Sequence, residues 1–238
     1  MNACFFEVVM KKIFNYFSLF EQILWLASAL VITAAFNIFD RVNFLYLVAS
    51  LIGVTFLIFN AKGNPVGQFL TIVFSVLYGV ISYSFSYYGE MITYLGMTAP
   101  MALFAFVAWL RHPYKGNKTE VEVNSISKRE IFFMFLLSVV VTATFYFILD
   151  ALGTANIIPS TVSVTTSFIA VYLTFRRNHW FALAYAANDL VLIILWLMAS
   201  FEDKTYISVL VCFIVFFFND IYGYISWKRM KAKQATGQ

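Results

Sequence analysis

Two Asn-Asp pairs interrupt stretches of this sequence that are otherwise almost wholly apolar. Asn188-Asp189 and Asn219-Asp220 both lie well inside runs that are long enough to cross a membrane. A charged side chain in the hydrocarbon core costs about 2.5–3.5 kcal/mol on insertion scales, so each pair requires a reason. Tyr185 lies one helical turn before Asp189, and Tyr222 lies three residues after Asn219. Tyrosine rings beside amides and carboxylates suit a flat, polar and cationic ligand.

The same polar groups have a structural alternative, in which they hydrogen-bond neighbouring helices and hold a bundle together. This alternative applies best to Asp220, because that residue lies closest to the end of its apolar run. The presence of two pairs, each with tyrosines nearby, favours a binding role for the set as a whole.

Further candidates come from three other apolar runs. Tyr94 and Thr98 precede Pro100, which is expected to kink its helix and free a carbonyl group. Thr165 belongs to a hydroxyl-rich stretch at 160–167, where bonding of each hydroxyl to its own backbone is the alternative. Trp180 opens the run that contains Asn188 and is either a ligand platform or an interfacial anchor. The predicted substrate site therefore comprises Trp180, Tyr185, Asn188, Asp189, Asn219, Tyr222, Tyr94, Thr98 and Thr165.

The composition identifies the environment of these residues. Of the 238 residues, 62% are hydrophobic, 20% are aromatic and 12% are charged, whereas soluble domains carry about 25% charged residues. So much apolar surface cannot be buried in one soluble core, which predicts a membrane protein in a lipid bilayer. The net charge of +4 is explained by basic residues that flank the spans and is not taken as a sign of nucleic-acid binding.

Eight apolar runs are long enough to span a bilayer core of about 30 Å. They are separated by polar or helix-breaking segments such as Lys62-Gly63-Asn64-Pro65 and Gly89-Glu90, and the one substantial hydrophilic loop is 111–130. The predicted spans are 22–39, 42–59, 65–87, 91–110, 131–149, 159–175, 180–199 and 204–227.

The basic residues predict the orientation of the spans. When the sides of the membrane alternate along the chain, 14 of the 16 Lys and Arg residues fall on the side of the N-terminus. Loops rich in basic residues stay on the cytoplasmic side, so both termini are expected in the cytoplasm. Lys11-Lys12 and Ala27-Ser28-Ala29 leave a cleaved signal peptide as an alternative for the first span. Glu21 and the length of the apolar run favour its retention.

The chain contains an internal repeat. Segments 62–111 and 177–229 each have a basic start, a span, an acidic turn, a second span and a terminal Trp-x-basic sequence. With their preceding spans they form two parallel three-helix units, joined by a span that inverts the chain, a plan found in transporters with a midplane site. The predicted fold is all-α, with one extra N-terminal helix and a 3+1+3 core. Its parts are 1–41 (tail and extra helix), 42–111 (first repeat), 112–158 (cytoplasmic loop and inverting helix), 159–229 (second repeat) and 230–238 (tail).

Several functional classes are excluded by what the sequence lacks. It has no Walker A sequence, no catalytic serine elbow and no His-Glu-x-x-His motif. His112 and His179 have no Cys or carboxylate at ligand spacing, and Cys4 and Cys212 are the only cysteines. We therefore expect no metal, no cofactor, no disulfide framework and no catalytic activity. A membrane enzyme or sensor would need convergent catalytic groups or a soluble output domain, and the sequence shows neither.

The region 42–230 resembles the PnuC family of bacterial vitamin transporters. The resemblance rests on Lys62-Gly63-Asn64, Tyr88-Gly89-Glu90, Pro100-Met101, Trp109 and the segment NDIYGYISWKR at 219–229. It implies a SWEET-like architecture and a homotrimer in the bacterial inner membrane. This homotrimer would import nicotinamide riboside, a vitamin B3 precursor for NAD biosynthesis, by facilitated diffusion. The resemblance also implies a cytoplasmic kinase that traps the substrate by phosphorylation.

The sequence departs from the family in one motif. The ligand-binding motif of the penultimate helix is W-x-x-W-x-x-x-N/D, and with Asp189 at its last position Ala182 and Tyr185 replace the two tryptophans. With Asn188 at that position, Phe181 and Ala184 replace them. This departure leaves thiamine or a deoxynucleoside as alternative substrates. Proton-coupled uptake, with Asp189 or Asp220 as the titrating group, is a further alternative.

Overall fold

The computed structural model describes residues 15–84, 87–154 and 156–237, and within these residues eight helices are long and apolar enough to cross a membrane. This confirms the predicted all-α membrane fold with eight spans. Cys4 and Lys11-Lys12 lie outside the described residues. The helices are α1 (Leu19–Phe39), α2 (Phe44–Ala61), α3 (Pro65–Ser84), α4 (Tyr88–Arg111), α5 (Lys128–Ala151), α6 (Ile157–Phe175), α7 (Phe181–Ser200) and α8 (Ile207–Thr236).

The helix ends follow local capping chemistry. At the start of α1, Ser18 and Glu21 form a capping box in which each side chain accepts a hydrogen bond from the other residue's backbone N–H. At the other end of the chain, α8 continues about nine residues past its predicted end at residue 227, and these last turns are polar. It stops at Gly237, whose φ of 73° is the left-handed conformation that glycine adopts without strain.

Six of the helices form a closed ring. In the first unit α3 packs between α2 and α4, and in the second unit α7 packs between α6 and α8. The units meet at two seams, α4 against α6 and α8 against α2. The same order of packing therefore recurs in both predicted units, and the interior of the ring is a space to which each unit contributes three helices.

The other two helices lie outside the ring. Helix α1 packs on α8 and α2, and α5 makes its main contacts with α6. Only 11% of the most apolar window of α5 is buried, and Phe132, Phe133 and Phe147 are more than 60% exposed. Because α5 is the most apolar of the eight helices, this exposed surface is suited to lipid.

The loop predicted at 111–130 contains a short antiparallel hairpin, β1 (Pro113–Tyr114) and β2 (Asn117–Val121). The loop is bound to the turns of both units. Backbone N–H groups of Val121 and Asn124 donate to the carbonyls of Gly63 and Arg177, at 3.0 and 2.9 Å. The loop therefore bridges the α2–α3 turn and the α6–α7 turn on one face of the ring.

Candidate functional site

A cavity lies inside the ring and is lined by side chains from all six helices. Its volume is about 40 Å³, which holds no more than a few water molecules, whereas ligand pockets commonly measure about 300–1,000 Å³. A vitamin-sized ligand therefore enters only if the lining side chains or helices move apart. The lining residues are Phe56, Leu57, Asn60, Thr71, Phe74, Tyr94, Thr98, Ser167, Phe181, Tyr185, Asn188, Asp189, Phe213, Phe216 and Asp220.

Asn188 on α7 is held in place by hydroxyl groups of α6. Its Oδ1 accepts hydrogen bonds from Thr166 Oγ1 at 2.7 Å and Ser167 Oγ at 3.0 Å, and Ser163 Oγ lies at 3.5 Å. All of these bonds end on the carbonyl oxygen of the amide. The Nδ2 group carries two N–H donors, which these hydroxyl groups do not use. The hydroxyl-rich sequence of α6 thus positions an amide for donation to a ligand.

Asp189 and Asp220 bring two carboxyl groups into the cavity from neighbouring helices. Their exposed fractions are 4% and 5%, so both carboxyl groups are almost fully buried. The second oxygen of Asp189, Oδ2, is buried without a hydrogen-bond partner among the described residues. A buried carboxylate oxygen without a partner is costly in a protein interior, so this oxygen is available for a donor or a cation.

Tyr94 and Thr98 belong to a π-helical stretch within α4, Thr93–Thr98, which ends two residues before Pro100. The backbone N–H of Ala99 donates to the carbonyl of Tyr94 five residues earlier, as expected for the wider π turn. Proline cannot follow a regular helical turn without a clash, and π-bulges occur often at functional sites. The wider turn displaces α4 locally at the point where Tyr94 and Thr98 reach the cavity.

Two aromatic groups contribute to the lining of the cavity, one from the first unit and one from the second. In the first unit the ring of Tyr94 packs against Tyr78 and Phe74, with centroid distances of 4.5 and 5.9 Å. In the second unit Phe181 and Tyr185 from α7 lie edge to face at 6.3 Å. Phe181 and Tyr185 each occupy an aromatic position in one of the two possible registers of the tryptophan motif.

A pair of buried tryptophans fills the interior of the six-helix ring at the face where the hairpin lies. Trp109 at the end of α4 donates from Nε1 to the carbonyl of Thr174 at 3.0 Å, and Trp227 on α8 donates to the carbonyl of Asn60 at 2.7 Å. Each bond crosses one of the two seams between the units. The indoles lie 5.3 Å apart, both are fully buried, and Phe181 contacts both of them from the cavity side.

Five of the nine predicted site residues line this cavity, and Trp180 and Thr165 do not. Trp180 is 46% exposed and packs against Tyr224 with a centroid distance of 5.3 Å, an arrangement that suits an interfacial anchor. Thr165 faces α5, where its hydroxyl lies 2.6 Å from that of Thr142. Both residues therefore contact the outer parts of the bundle.

Asn219 and Tyr222 also point away from the cavity, because their face of α8 is covered by α1. Asn219 Nδ2 donates to Ser28 Oγ at 2.9 Å, and the Tyr222 hydroxyl donates to Glu21 Oε1 at 2.9 Å. Lys62 forms an ion pair with the same carboxylate at 3.2 Å. These contacts tie α1 to the ring, which is the structural role that the sequence analysis weighed for polar groups in spans.

Sequence reasoning missed a polar network from the first unit. Gln68 Nε2 donates to Asn60 Oδ1 at 2.8 Å, and Asn60 Nδ2 lies 3.4 Å from Thr71 Oγ1. Asn60 and Thr71 line the cavity, and all three side chains are at least 94% buried. The sequence signal for this network is polar residues on both sides of the turn at 62–65, with Asn60 before it and Gln68 and Thr71 after it. Polar residues are expected beside any turn, so this signal did not distinguish a binding site.

The comparisons with known proteins agree with this architecture. The sequence profile of the family described as nicotinamide mononucleotide transporters matches residues 43–229, most of the chain. The chain belongs to this family. A relative from Neisseria mucosa, the nicotinamide riboside transporter PnuC, is 29% identical over 233 residues, which cover 96% of this chain and 88% of the relative.

A crystal structure of the vitamin B3 transporter PnuC superimposes with a TM-score of 0.79 at 25% identity, covering 91% of this chain and 94% of that one. The predicted membership of the PnuC family is therefore confirmed, as is the predicted class of membrane transporter rather than enzyme. The family match begins at residue 43, so it includes the ring, the hairpin and α5, and leaves out α1.

Proposed function

We propose that this protein carries nicotinamide riboside across a bacterial inner membrane through the cavity of the six-helix ring. The observation that carries the proposal is the lining of that cavity, which places two aromatic surfaces, an oriented amide and two carboxyl groups around one space. The pyridinium ring of the riboside is flat and positively charged, and its ribose carries hydroxyl groups. These features match aromatic rings, carboxyl groups and amides respectively.

The charge of the lining favours the riboside over the mononucleotide. A phosphate monoester carries a charge of about −1.5 to −2 at neutral pH. The described lining residues include Asp189 and Asp220 but neither Lys nor Arg. A mononucleotide would therefore place its phosphate beside buried carboxyl groups without a compensating cation, which is costly in a low-dielectric interior.

Five of the lining residues have distinct proposed roles. Tyr94 and Tyr185 stack on the pyridinium from opposite units, and Asn188 donates from Nδ2 to a ribose oxygen. Asp189 balances the ring charge with its unpartnered Oδ2, and Thr98 completes the polar lining from the π-helical stretch of α4. Four other residues have no role in this proposal, because the contacts described above join them to other parts of the bundle: Trp180, Asn219, Tyr222 and Thr165.

The mode of transport that we propose is facilitated diffusion, with both termini in the cytoplasm and a homotrimeric assembly. Phosphorylation by a cytoplasmic kinase would keep the imported riboside from leaving, because the charged product no longer suits the cavity. Sealed vesicles containing the purified protein test the coupling. Uptake of labelled nicotinamide riboside should follow its own gradient and should be unchanged when a proton gradient of either direction is imposed.

Thiamine is a second candidate because it also combines a flat ring with a fixed positive charge. The observation in its favour is the replacement of both motif tryptophans, since Phe181 and Tyr185 present smaller surfaces than two indoles. Titration calorimetry of the purified protein with nicotinamide riboside, its mononucleotide, thiamine, riboflavin and deoxycytidine decides between these ligands. We expect nicotinamide riboside to bind most tightly and the mononucleotide at least tenfold more weakly.

A matched pair of variants tests the site. Asn188→Ala removes the oriented amide inside the cavity, whereas Asn219→Ala removes an amide that faces α1. We expect the first substitution to weaken binding by roughly 5- to 100-fold, the equivalent of one or two hydrogen bonds to a ligand. The second should leave the dissociation constant within about twofold. Equal effects of the two substitutions would refute the assignment of the cavity.

A further inference from the structure

A group of cationic and aromatic side chains lies where the α6–α7 turn meets α8. His179 of the turn stacks on Tyr224 of α8, with the ring planes 19° apart and the centroids 6.5 Å apart. Trp180 packs against both rings, at 5.1 and 5.3 Å, and is 46% exposed. Lys228 and Lys231 follow Tyr224 by one and two helical turns, so they share its face of α8. We call these five residues the basic cluster.

The positive charge of the basic cluster is not balanced by any described carboxyl group. Burial, followed by Lys231 and Lys228, lowers the pKa of His179 to about 4, and no acidic side chain contributes to this shift. The imidazole Nδ1 is buried without a hydrogen-bond partner. Neither lysine forms an ion pair with a residue that the structure describes. The cluster therefore combines two ammonium groups with an imidazole that repulsion and burial keep neutral.

Two other basic residues at this end of the bundle have acidic partners. Lys62 forms an ion pair with Glu21, and Arg176 forms one with Glu130. Arg176 is only three residues from His179, so the lack of a partner is specific to the basic cluster and is not shared by the whole end of the bundle. A negative charge that balances the cluster has to come from outside the described chain.

The expected depth of the basic cluster matches the phosphate layer of a bilayer. At a rise of 1.5 Å per residue, the apolar part of α8 from Ile207 to Trp227 is about 30 Å long, which is the thickness of the hydrocarbon core. Lys228 comes directly after this part, and Lys231 follows one turn later. Trp180, a residue type enriched at membrane interfaces, lies beside them. A lipid phosphate at this depth is within reach of flexible lysine side chains.

We propose that the basic cluster binds the phosphate group of an anionic phospholipid such as phosphatidylglycerol. Lys228 and Lys231 contact the phosphate oxygens, Trp180 packs against the glycerol region, and the acyl chains follow the apolar surface of the bundle. A zwitterionic lipid carries its own ammonium group beside the phosphate, so the lysines gain less from it than from a lipid with a net negative charge. The inference does not depend on which substrate the protein carries.

Thermal melting of the full-length protein, freed of lipid in detergent, is the first test. Short-chain phosphatidylglycerol is compared with phosphatidylcholine of the same acyl chains. We expect phosphatidylglycerol to raise the melting temperature by at least about 2 °C more, because a ligand of the folded state stabilises that state. Lys228→Gln combined with Lys231→Gln should remove at least half of this difference. Lys115→Gln combined with Lys118→Gln is the matched control, since it removes the same charge from the hairpin, and it should retain the difference.

A second measurement uses the unmodified protein. A phosphate close to His179 favours the charged imidazolium and should raise the pKa of this residue from about 4 towards 6.5. The titration is followed by NMR in micelles that contain either lipid, and the His179 signal is assigned by its loss in His179→Gln. An anionic micelle surface acts on every exposed histidine, so the shift of the His179 midpoint is compared with that of His112, the other histidine of the chain. We expect the shift of His179 to be larger by about one pH unit.

The outcomes decide both the site and the source of the phosphate. Equal stabilisation by the two lipids, or an equal loss in the hairpin control, overturns the proposal. A His179 midpoint that moves no further than that of His112 also overturns it. Glycerol phosphate has the same charged group but no acyl chains, and we expect it to have little effect at the same concentration. If it reproduces the full stabilisation, the cluster binds soluble phosphates and the assignment to a lipid is wrong.

Discussion

Gly53 is the position where adding a single methyl group should disturb both stability and binding. A Cβ atom on Gly53 of α2 would lie 2.2 Å from Cζ of Phe216 on α8 and 2.9 Å from its Cε1. Carbon atoms pack at about 3.5–4.0 Å, so the ring would have to move by roughly 1.5 Å. Phe216 is 4% exposed and lines the cavity, so little room is available for that movement.

The magnitude follows from the cost of overpacking a close-packed interior, which is about 1–3 kcal/mol for inserted carbon atoms. For a protein of this size, 1 kcal/mol lowers the melting temperature by roughly 2–4 °C. We therefore expect Gly53→Ala to melt about 2–12 °C below the unmodified protein in detergent. Because the displaced ring moves at the seam between α2 and α8, we also expect weaker binding of nicotinamide riboside by calorimetry.

Two further variants make this prediction decisive. Gly96→Ala is the control, since the nearest side-chain atom to its new Cβ would be Ile92 Cγ2 at an ordinary 3.7 Å. The double variant Gly53→Ala with Phe216→Leu should recover part of the loss, because the smaller side chain leaves room for the methyl group. A Gly53→Ala protein that melts with the unmodified one, or a double variant no better than the sum of the singles, would contradict the close contact of α2 and α8.

Three smaller predictions concern the hairpin face and α1. Trp227→Phe removes the bond to the Asn60 carbonyl and should cost about 1–3 kcal/mol, measured as a lower melting temperature, with normal melting as the contrary result. Burial, followed by two nearby lysines, lowers the pKa of His179 from 6.5 to about 4, so the folded protein keeps this imidazole neutral. The contribution of the neutral imidazole to stability should be fully present above pH 6.5 and should be lost as the pH falls towards 4. His179→Gln should remove this part of the pH dependence of the melting temperature. Tyr222→Phe deletes the bond to Glu21 and should loosen α1, seen as faster amide exchange at Ser28 but not in α7.

Hydropathy and charge were sufficient to predict the eight spans because each is a property of a short segment of sequence. A span needs only length and an apolar composition, and its ends are set by nearby groups such as Ser18 and Glu21. The hairpin at Pro113–Val121 was not predicted. Its position depends on hydrogen bonds from Val121 and from Asn124, just beyond it, to Gly63 and Arg177, which are far away in the sequence.

The site was harder to predict because neighbouring residues on a helix point about 100° apart. On α7, Tyr185, Asn188 and Asp189 share a face, so the predicted group reached the cavity together. On α8 the predicted Asn219 faces α1, and the adjacent Asp220 faces the cavity. Which of the two faces inward is decided by the docking of α1, and the sequence carries no local signal for that.

The two tryptophan bonds at the hairpin face use main-chain carbonyls as acceptors. A main-chain acceptor remains whatever side chain residue 60 or 174 carries, so sequence drift on the acceptor side cannot abolish either bond. The donor side has no such tolerance, because among the side chains the indole alone combines a large ring with an N–H donor and no acceptor. Two units built on the same plan could thus differ at almost every surrounding position and still close on each other, provided that both retained one tryptophan.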